Sequence, residues 1–198
     1  MAGQGPLLVV LTGPSGAGKD SILARLRSLG RPYHFAVTAT TRSARPSERE
    51  GVDYFFVSPL EFQRMLERGE LLENALVYGH RYGVPKAPIR DAIDRGQDVL
   101  FRTDVQGARH IKSIVPSAVT IFVAPPSIDD LKPRLQERGS DTPEQLELRL
   151  RIAGEEMEAA SQFDHTVVNE DLERCVQEIE EVLRRERARP GRQRVSLE

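Results

Sequence analysis

A glycine-rich run stands between an apolar segment and a helical pattern near the start of the chain. The run reads Gly13-Pro14-Ser15-Gly16-Ala17-Gly18-Lys19-Asp20. Residues 7–12 before it are almost entirely apolar, which is typical of a strand buried on both faces of a parallel sheet. After it, apolar side chains have helical spacing until Gly30 and Pro32 end the pattern. A strand, a glycine loop and a helix in this order aim the helix N-terminus at an anion.

The run matches a phosphate-binding loop at every position except the last. Such a loop needs glycines so that backbone N–H groups can surround phosphate oxygens, a lysine for the outer phosphates, and a Ser or Thr hydroxyl for Mg²⁺. Lys19 is present, but Asp20 replaces the hydroxyl residue. Ser21 does not restore it, because one step along a helix rotates a side chain by about 100°. The other positions of the run, with the strand before it and the helix after it, nevertheless predict nucleotide binding here.

Composition limits the other classes of function. The chain has 198 residues and a net charge of −2, so it suits one domain and gives no reason to expect nucleic acid or a membrane as a partner. No apolar stretch approaches the roughly 20 residues of a membrane span, and no secretion signal opens the chain, which predicts a cytoplasmic protein.

The single cysteine, Cys175, lies on an apolar helix face and is expected to pack in the core. The four histidines form no ligand-spaced pair, so any metal is expected to arrive with a nucleotide.

Strand-like runs alternate with helical patterns along most of the chain. They lie at residues 7–12, 35–40, 99–103, 119–124 and 166–168. This alternation predicts an α/β fold of three layers around a parallel five-stranded sheet.

The pattern changes between residues 54 and 85. Short strand-like pieces at 54–57 and 75–78 flank a helix at 59–68, which begins with Ser58 and Glu61 in capping-box spacing. We predict a small inserted α+β lobe here.

Arginines mark two later regions. Residues 127–153 form a second candidate lobe, and Pro133 is expected to kink its first helix. The C-terminal residues are rich in arginine, and we expect a frayed, solvated tail there.

Hydroxyl and basic residues follow the second strand, at residues 38–46. Ligands bind at the carboxyl ends of strands in open α/β sheets. Arg42 and Arg45 are three residues apart and can both donate to one phosphate group. The alternative is a solvated basic loop.

Taken together, the chain resembles the guanylate kinases, which phosphorylate GMP with ATP. The matching stretches are the glycine-rich loop, Thr40-Thr41-Arg42 with Arg45-Pro46, residues 51–56, Glu73, Tyr82-Gly83, residues 104–108, Arg134-Leu135 with Arg138-Gly139, Arg149-Leu150 and Val167-Val168-Asn169. They cover nearly the whole chain in order and are far more specific than the loop alone.

The resemblance implies a role for each matching position. Residues Gly13 to Ser21 and Asn169 would bind ATP, with Mg²⁺ accompanying it and Asn169 near the adenine. The GMP site would consist of Thr38, Arg42, Arg45, Tyr54, Glu73, Tyr82 and Asp104, with the carboxylates at the guanine. The catalytic cations would be Lys19, Arg42, Arg134, Arg138 and Arg149. The fold implied is a P-loop kinase core (about 5–35, 89–126 and 155–188) with a monophosphate-binding lobe (about 36–88), a short helical lid (about 127–154) and a basic tail (189–198).

The chain departs from the family at three positions. Asp20 replaces a Ser, Thr or small residue, Arg102 replaces the first acid of an Asp-x-Asp pair, and Val84 replaces a Ser or Thr whose hydroxyl can contact the base. We predict that Asp20 pairs with Arg102 and holds the metal directly or through water; the alternative is that Asp20 is a solvent-facing helix acid. The hydroxyl that is lost at Val84 predicts that the preference for guanine over other bases is weakened about threefold to tenfold.

Two other functions stay open from the sequence. One is a related P-loop kinase that acts on a sugar phosphate, and the other is a non-catalytic module of this fold that binds a peptide. The presence of Lys19, Arg42, Arg45 and Glu73 disfavours the binding module. The aromatic and acidic residues expected at the base disfavour a sugar phosphate, and they are Tyr54, Glu73, Tyr82 and Asp104. Its expected partners are ATP and GMP, with dGMP as a further acceptor, and the expected state is a monomer or homodimer.

Overall fold

The computed structural model describes residues 5–46, 48–77, 79–136 and 143–197. The strands are β1 (Leu8–Thr12), β2 (His34–Phe35), β3 (Thr38–Thr40), β4 (Tyr54–Phe56), β5 (Leu71–Val77), β6 (His80–Pro85), β7 (Val99–Arg102), β8 (Val119–Ala124) and β9 (His165–Val168). The helices are α1 (Lys19–Ser28), α2 (Pro59–Glu67), α3 (Lys86–Asp94), α4 (Val105–Ile114), α5 (Leu131–Gln136), α6 (Pro143–Glu158) and α7 (Leu172–Ala188).

Five parallel strands form the central sheet, in the order β2-β7-β1-β8-β9. Every residue of β1 is buried. Val9 and Leu11 share a core cluster with α1 and α7, whereas Leu8 and Val10 share another with α3 and α4. The apolar character of the strand therefore follows from having a helical layer on each face. This confirms the predicted three-layer α/β fold. Cys175 on α7 is fully buried, as predicted.

A second sheet, in the order β4-β3-β6-β5, lies within residues 38–85. The run at 35–40, predicted as one strand, is divided: Phe35 in β2 pairs with the central sheet, whereas β3 pairs only with β4 and β6 among the described strands. The chain leaves the central sheet at this point to begin the second one. As predicted, Ser58 caps α2 by accepting a hydrogen bond from the Glu61 amide at 3.1 Å.

The second sheet also differs from the expected pieces at 54–57 and 75–78. Strand β5 begins earlier, at Leu71, and β6 was not predicted as a strand. Its sequence begins with polar residues and contains Gly83, which weakens the alternation by which a strand is recognised. Gly83 is nevertheless needed there, because a Cβ would press against the side chains of Leu71 and Phe62.

Helices α5 and α6, which follow β8 and precede β9 in the chain, pack against each other. Leu131, Leu135 and Ala153 form their shared core. The kink predicted at Pro133 is not required, since Pro133 is the third residue of α5. In the first helical turn the N–H groups have no partner within the helix, so proline removes nothing there. The predicted lid residue Arg138 lies outside the described residues.

The basic tail contacts the body of the protein, in contrast to the predicted solvated tail. Arg192 donates to the carbonyl oxygens of Gly5 and Pro6. Val195 and Leu197 are partly buried against the core cluster that contains Leu8. Two apolar side chains among the arginines therefore hold the tail against the protein. Among the described helices, none is long and apolar enough to cross a membrane.

Candidate functional site

The phosphate-binding loop joins the end of β1 to the start of α1. Gly13, with φ +128°, lies so close to β8 that a Cβ would overlap the Val123 carbonyl oxygen. Gly18, with φ +89°, is the N-cap of α1, and no side chain caps the helix. Only glycine, which has no Cβ, allows the close approach to β8 at Gly13 and adopts the positive φ at Gly18 without strain. The first backbone N–H groups of α1 can therefore donate to an anion.

Two side chains fix the shape of the loop. The Lys19 ammonium donates to the Gly13 and Pro14 carbonyl oxygens at 2.6 and 2.9 Å. The Asn169 amide, which is buried, donates to the Ala17 carbonyl oxygen at 2.8 Å. Asn169 thus supports the loop backbone from the end of β9. Its predicted position near the adenine stays a prediction.

Asp20 and Arg102 form an ion pair, which agrees with the pairing predicted from their unusual identities. Arg102 ends β7, where it is aligned with Leu11 of β1, so its side chain reaches the loop from the neighbouring strand. Its side chain is 20% exposed, and that of Asp20 is 55% exposed. Burial would lower the pKa of Arg102, but the Asp20 and Tyr54 groups outweigh it and raise the pKa. Asp20 is therefore paired, although more than half of its side chain still faces solvent, and its role at the metal stays a prediction. Within the described part of the chain, no group of three His, Cys, Asp or Glu residues could hold a metal ion.

Arg42 is held by an acid that the sequence analysis missed. Its guanidinium donates to both oxygens of Glu48, at 2.8 and 3.0 Å, and both side chains are 14% exposed. The Arg45 amide donates to the same carboxylate at 2.8 Å. Burial acts to raise the pKa of Glu48, but the bonds from Arg42 and the Arg45 amide lower it overall. The Arg42 guanidinium carbon lies 5.2 Å from the centroid of the Tyr54 ring.

Two aromatic side chains, Tyr54 and Tyr82, lie next to Arg42. The Tyr54 and Tyr82 rings meet edge to face, with centroids 6.1 Å apart. Thr38, also predicted at this site, is buried on β3 and aligned with Tyr54 on β4. The structure thus brings Arg42, Tyr54 and Tyr82 together. Arg45 is exposed on the adjoining loop.

Two carboxylates line a cleft of about 540 Å³ between β5 and α4. Glu73 is 4% exposed, and its Oε2 atom has no hydrogen-bond partner. Asp104 is the N-cap of α4 and accepts from the Gly107 amide at 2.7 Å. A Cβ at Gly107 would come within 2.9 Å of Glu73 Oε2, so the glycine makes room for the carboxylate. Burial, with the nearby Asp104, raises the pKa of Glu73 to about 7.

Val84 is fully buried and lies opposite Glu73 in the register of β5 and β6. It belongs to the core cluster that also holds Leu72 and Ile89. Its methyl groups therefore pack in the core behind the strand pair that carries Glu73. The predicted weakening of guanine preference stays a prediction.

Comparisons with known proteins agree with this arrangement. The family model described as guanylate kinase matches residues 6–186. The chain belongs to the guanylate kinase family. A guanylate kinase of Corynebacterium diphtheriae is 45% identical over 187 residues, which cover 92% of this chain and 98% of the relative. A guanylate kinase of Thermus thermophilus is 43% identical and covers 100% of this chain and 88% of the relative.

A solved structure gives the same result for the fold. The crystal structure of guanylate kinase from Anaplasma phagocytophilum matches with a TM-score of 0.79 at 32% identity, covering 95% of this chain and 89% of that one. The P-loop kinase fold of the family is therefore confirmed.

Of the three arginines expected in the lid, Arg134 and Arg149 are among the residues that the structure describes. Arg134 on α5 donates to the Asn169 carbonyl oxygen at 3.2 Å, which joins α5 to the residue that supports the loop. Arg149 is half-buried on α6. Their catalytic roles stay predictions.

Glu156 on α6 is a further acid that the sequence analysis missed. Burial and the charge of Asp104 raise its pKa to about 7, although Lys19 acts in the opposite direction. Glu156 is therefore electrostatically coupled to both the loop lysine and the cleft. It lies seven residues after Arg149, two helical turns along one face, and this spacing could have identified it.

Proposed function

We propose that this chain transfers the γ-phosphoryl group of ATP to GMP, producing ADP and GDP, and that it also accepts dGMP. The proposal places the enzyme in purine nucleotide metabolism in the cytoplasm. It rests on family membership and on two features of the site, a phosphate-binding loop and an acidic cleft beside the Arg42 and tyrosine group.

The acidic cleft is the observation that carries the choice of acceptor. The N1–H and exocyclic amine of guanine are two adjacent donors, and a carboxylate such as Glu73 can accept from them. Adenine offers no such pair. Glu73 is buried with one oxygen unpartnered, and a buried acceptor gains most from a matching donor.

The opposite end of GMP would bind to the basic and aromatic group. Arg42 is fixed by Glu48 in a planar, two-bond arrangement, so its orientation is set before substrate binds. Arg45 lies on the same loop, where its guanidinium can contact the phosphate. Tyr54 and Tyr82 would donate their hydroxyl protons to phosphate oxygens.

Transfer then requires alignment and charge neutralisation rather than a general base. The second pKa of a phosphate is about 6, so the acceptor oxygen of GMP is largely deprotonated at neutral pH. The loop amides and Lys19 would hold the donor phosphates, and Arg134 and Arg149 would neutralise charge as the two polyanions meet. Closure of α5 and α6 would exclude water and so limit ATP hydrolysis.

The metal would enter as part of the ATP complex. Mg²⁺ keeps several waters and binds substrate phosphates with one or two carboxylates at most, and Asp20 is the carboxylate next to the loop lysine. Asp20, which is paired with Arg102, would hold the ion directly or through water. Mg²⁺ would supply charge neutralisation at the donor phosphates.

The products of the reaction test this proposal. With ATP, Mg²⁺ and GMP, we expect ADP and GDP to form in equal amounts, as measured by chromatographic separation of the nucleotides. Lys19→Met should reduce the rate at least about 100-fold, because it removes the cation at the donor phosphates. Formation of ADP without GDP, or no turnover by the wild type, would refute the function.

A further inference from the structure

Arg102 contacts both halves of the site. On one side it forms the ion pair with Asp20 at the start of α1. On the other, its Nη2 donates to the Tyr54 hydroxyl oxygen at 2.6 Å, and its guanidinium carbon lies 5.2 Å from the Tyr54 ring centroid. Asp20 belongs to the phosphate-binding loop and Tyr54 to the second sheet, so one side chain joins the donor site to the acceptor lobe.

The direction of the second hydrogen bond matters for substrate binding. Because Arg102 has no acceptor, Tyr54 must accept this bond with its oxygen. The hydroxyl proton of Tyr54 is then directed elsewhere, and a neighbouring cation makes that proton a better donor to an anion. Burial raises the pKa of Tyr54, so the proton is retained.

The ion pair fixes Arg102 in this orientation. A guanidinium is a planar group whose two edges can hold two partners at once, whereas a lysine ammonium on a flexible stem cannot fix this geometry. The pair also neutralises a carboxylate that would otherwise repel the donor phosphates. Asp20 is therefore connected to Tyr54 through Arg102.

We propose that Arg102 is a positioning residue that links the two substrate sites, holding Asp20 at the loop and directing the Tyr54 hydroxyl proton toward the phosphate of GMP. This inference rests on the proposed function. It assigns to a residue that is unusual for the family a role in acceptor affinity.

Calorimetric measurement of GMP affinity tests the link. Arg102→Met should weaken GMP binding about tenfold or more, the size expected for a hydrogen bond to a charged group. Tyr54→Phe should weaken it to a similar extent. The double variant should be no worse than the weaker-binding single variant, because both substitutions remove the same interaction.

Asp20→Asn provides the most specific result. The substituted amide would not touch GMP, yet we expect GMP affinity to fall several-fold because Arg102 loses its anchor. Guanosine, which lacks the phosphate, should bind wild type and all variants equally. A merely structural role for Arg102 would weaken guanosine and GMP alike.

Two variants control for folding and charge. Arg102→Lys keeps the charge beside Asp20 and should retain the wild-type melting temperature while weakening GMP binding. Arg109→Met removes an exposed arginine of α4 and should leave GMP affinity unchanged. Independent, multiplying effects of Arg102→Met and Tyr54→Phe, or unchanged GMP affinity in Asp20→Asn, would overturn the inference while wild-type turnover upholds the proposed function. Failure of the wild type to bind GMP would overturn both.

Discussion

Glu73 combines burial, a like-charged neighbour and an unpartnered oxygen, and these have opposite consequences for binding and stability. Only the ionised carboxylate can accept from both guanine donors. Since the pKa of Glu73 is about 7, GMP affinity should rise as the pH increases from 6 to 8. Calorimetry with wild type and Glu73→Gln separates this effect from titration of the GMP phosphate, which is common to both proteins. An equal pH dependence in the two proteins would contradict the assignment.

The same carboxylate should destabilise the free protein at high pH. Its pKa is raised from 4.5 to about 7 on folding, so between these values the unfolded state loses the proton first and stability falls as the pH rises. The full effect is on the order of 3 kcal/mol. In urea unfolding, Glu73→Gln should therefore be more stable than wild type at pH 8 and nearly equal to it at pH 5. Lower stability of the variant at pH 8 would refute this.

The grouping of residues at the site was predictable where a motif fixes their positions, whereas their roles stay predictions. The glycine loop, Arg42, Tyr54, Glu73 and Asp104 all follow from spacing that matches a family. Glu48 was not predictable, because its pairing with Arg42 depends on the path of an irregular loop. The link from Arg102 to Tyr54 was missed for a similar reason, since it crosses between two sheets.

At the scale of elements, the loop depends on β9 as well as on its own sequence. Asn169→Ala would leave the Ala17 carbonyl oxygen without its donor, at a cost of about 1–3 kcal/mol. We expect the KM for ATP to rise about tenfold while the KM for GMP changes little, as measured by steady-state kinetics. Gln177→Ala, which removes an exposed amide from α7, is the matched control. Equal increases in both KM values would contradict a role confined to the ATP loop, and a lower kcat with unchanged KM values would indicate partial unfolding.

Elements were predictable where burial gives a clear pattern. The apolar run of β1 and the cap of α2 by Ser58 agree with the sequence. The division of residues 35–40 between two sheets was not predictable, because both parts have strand character and only tertiary pairing separates them. Strand β6 was missed because tertiary packing around Gly83, rather than its own alternation, makes it a strand.

For the whole molecule, the tail contributes to stability. Deletion of residues 189–198 removes the packing of Val195 and Leu197 and the bonds of Arg192 to the start of the chain. Partial burial of two apolar side chains predicts a loss of about 2 kcal/mol in the free energy of unfolding. Urea unfolding checks this, and kcat at 25 °C should be unchanged because the tail lies away from the loop. An unchanged unfolding midpoint would show that the contacts are not stabilising.

The layered architecture was predictable from the alternation of strands and helices. The tail was not, because its arginines dominate the local pattern and the two apolar residues that anchor it have no periodic neighbours. The division of the chain into core, monophosphate-binding lobe and lid stays a prediction, although the second sheet falls within the predicted lobe.

Acceptor selectivity tests the central claim most directly. The account predicts that kcat/KM for GMP exceeds that for AMP at least about 1,000-fold, because a site with a buried acceptor rejects a base that lacks the matching donors. Coupled measurement of ADP release with GMP, AMP and a pentose phosphate provides the ratio. Comparable use of AMP, or faster use of the pentose phosphate than of GMP, would contradict the account.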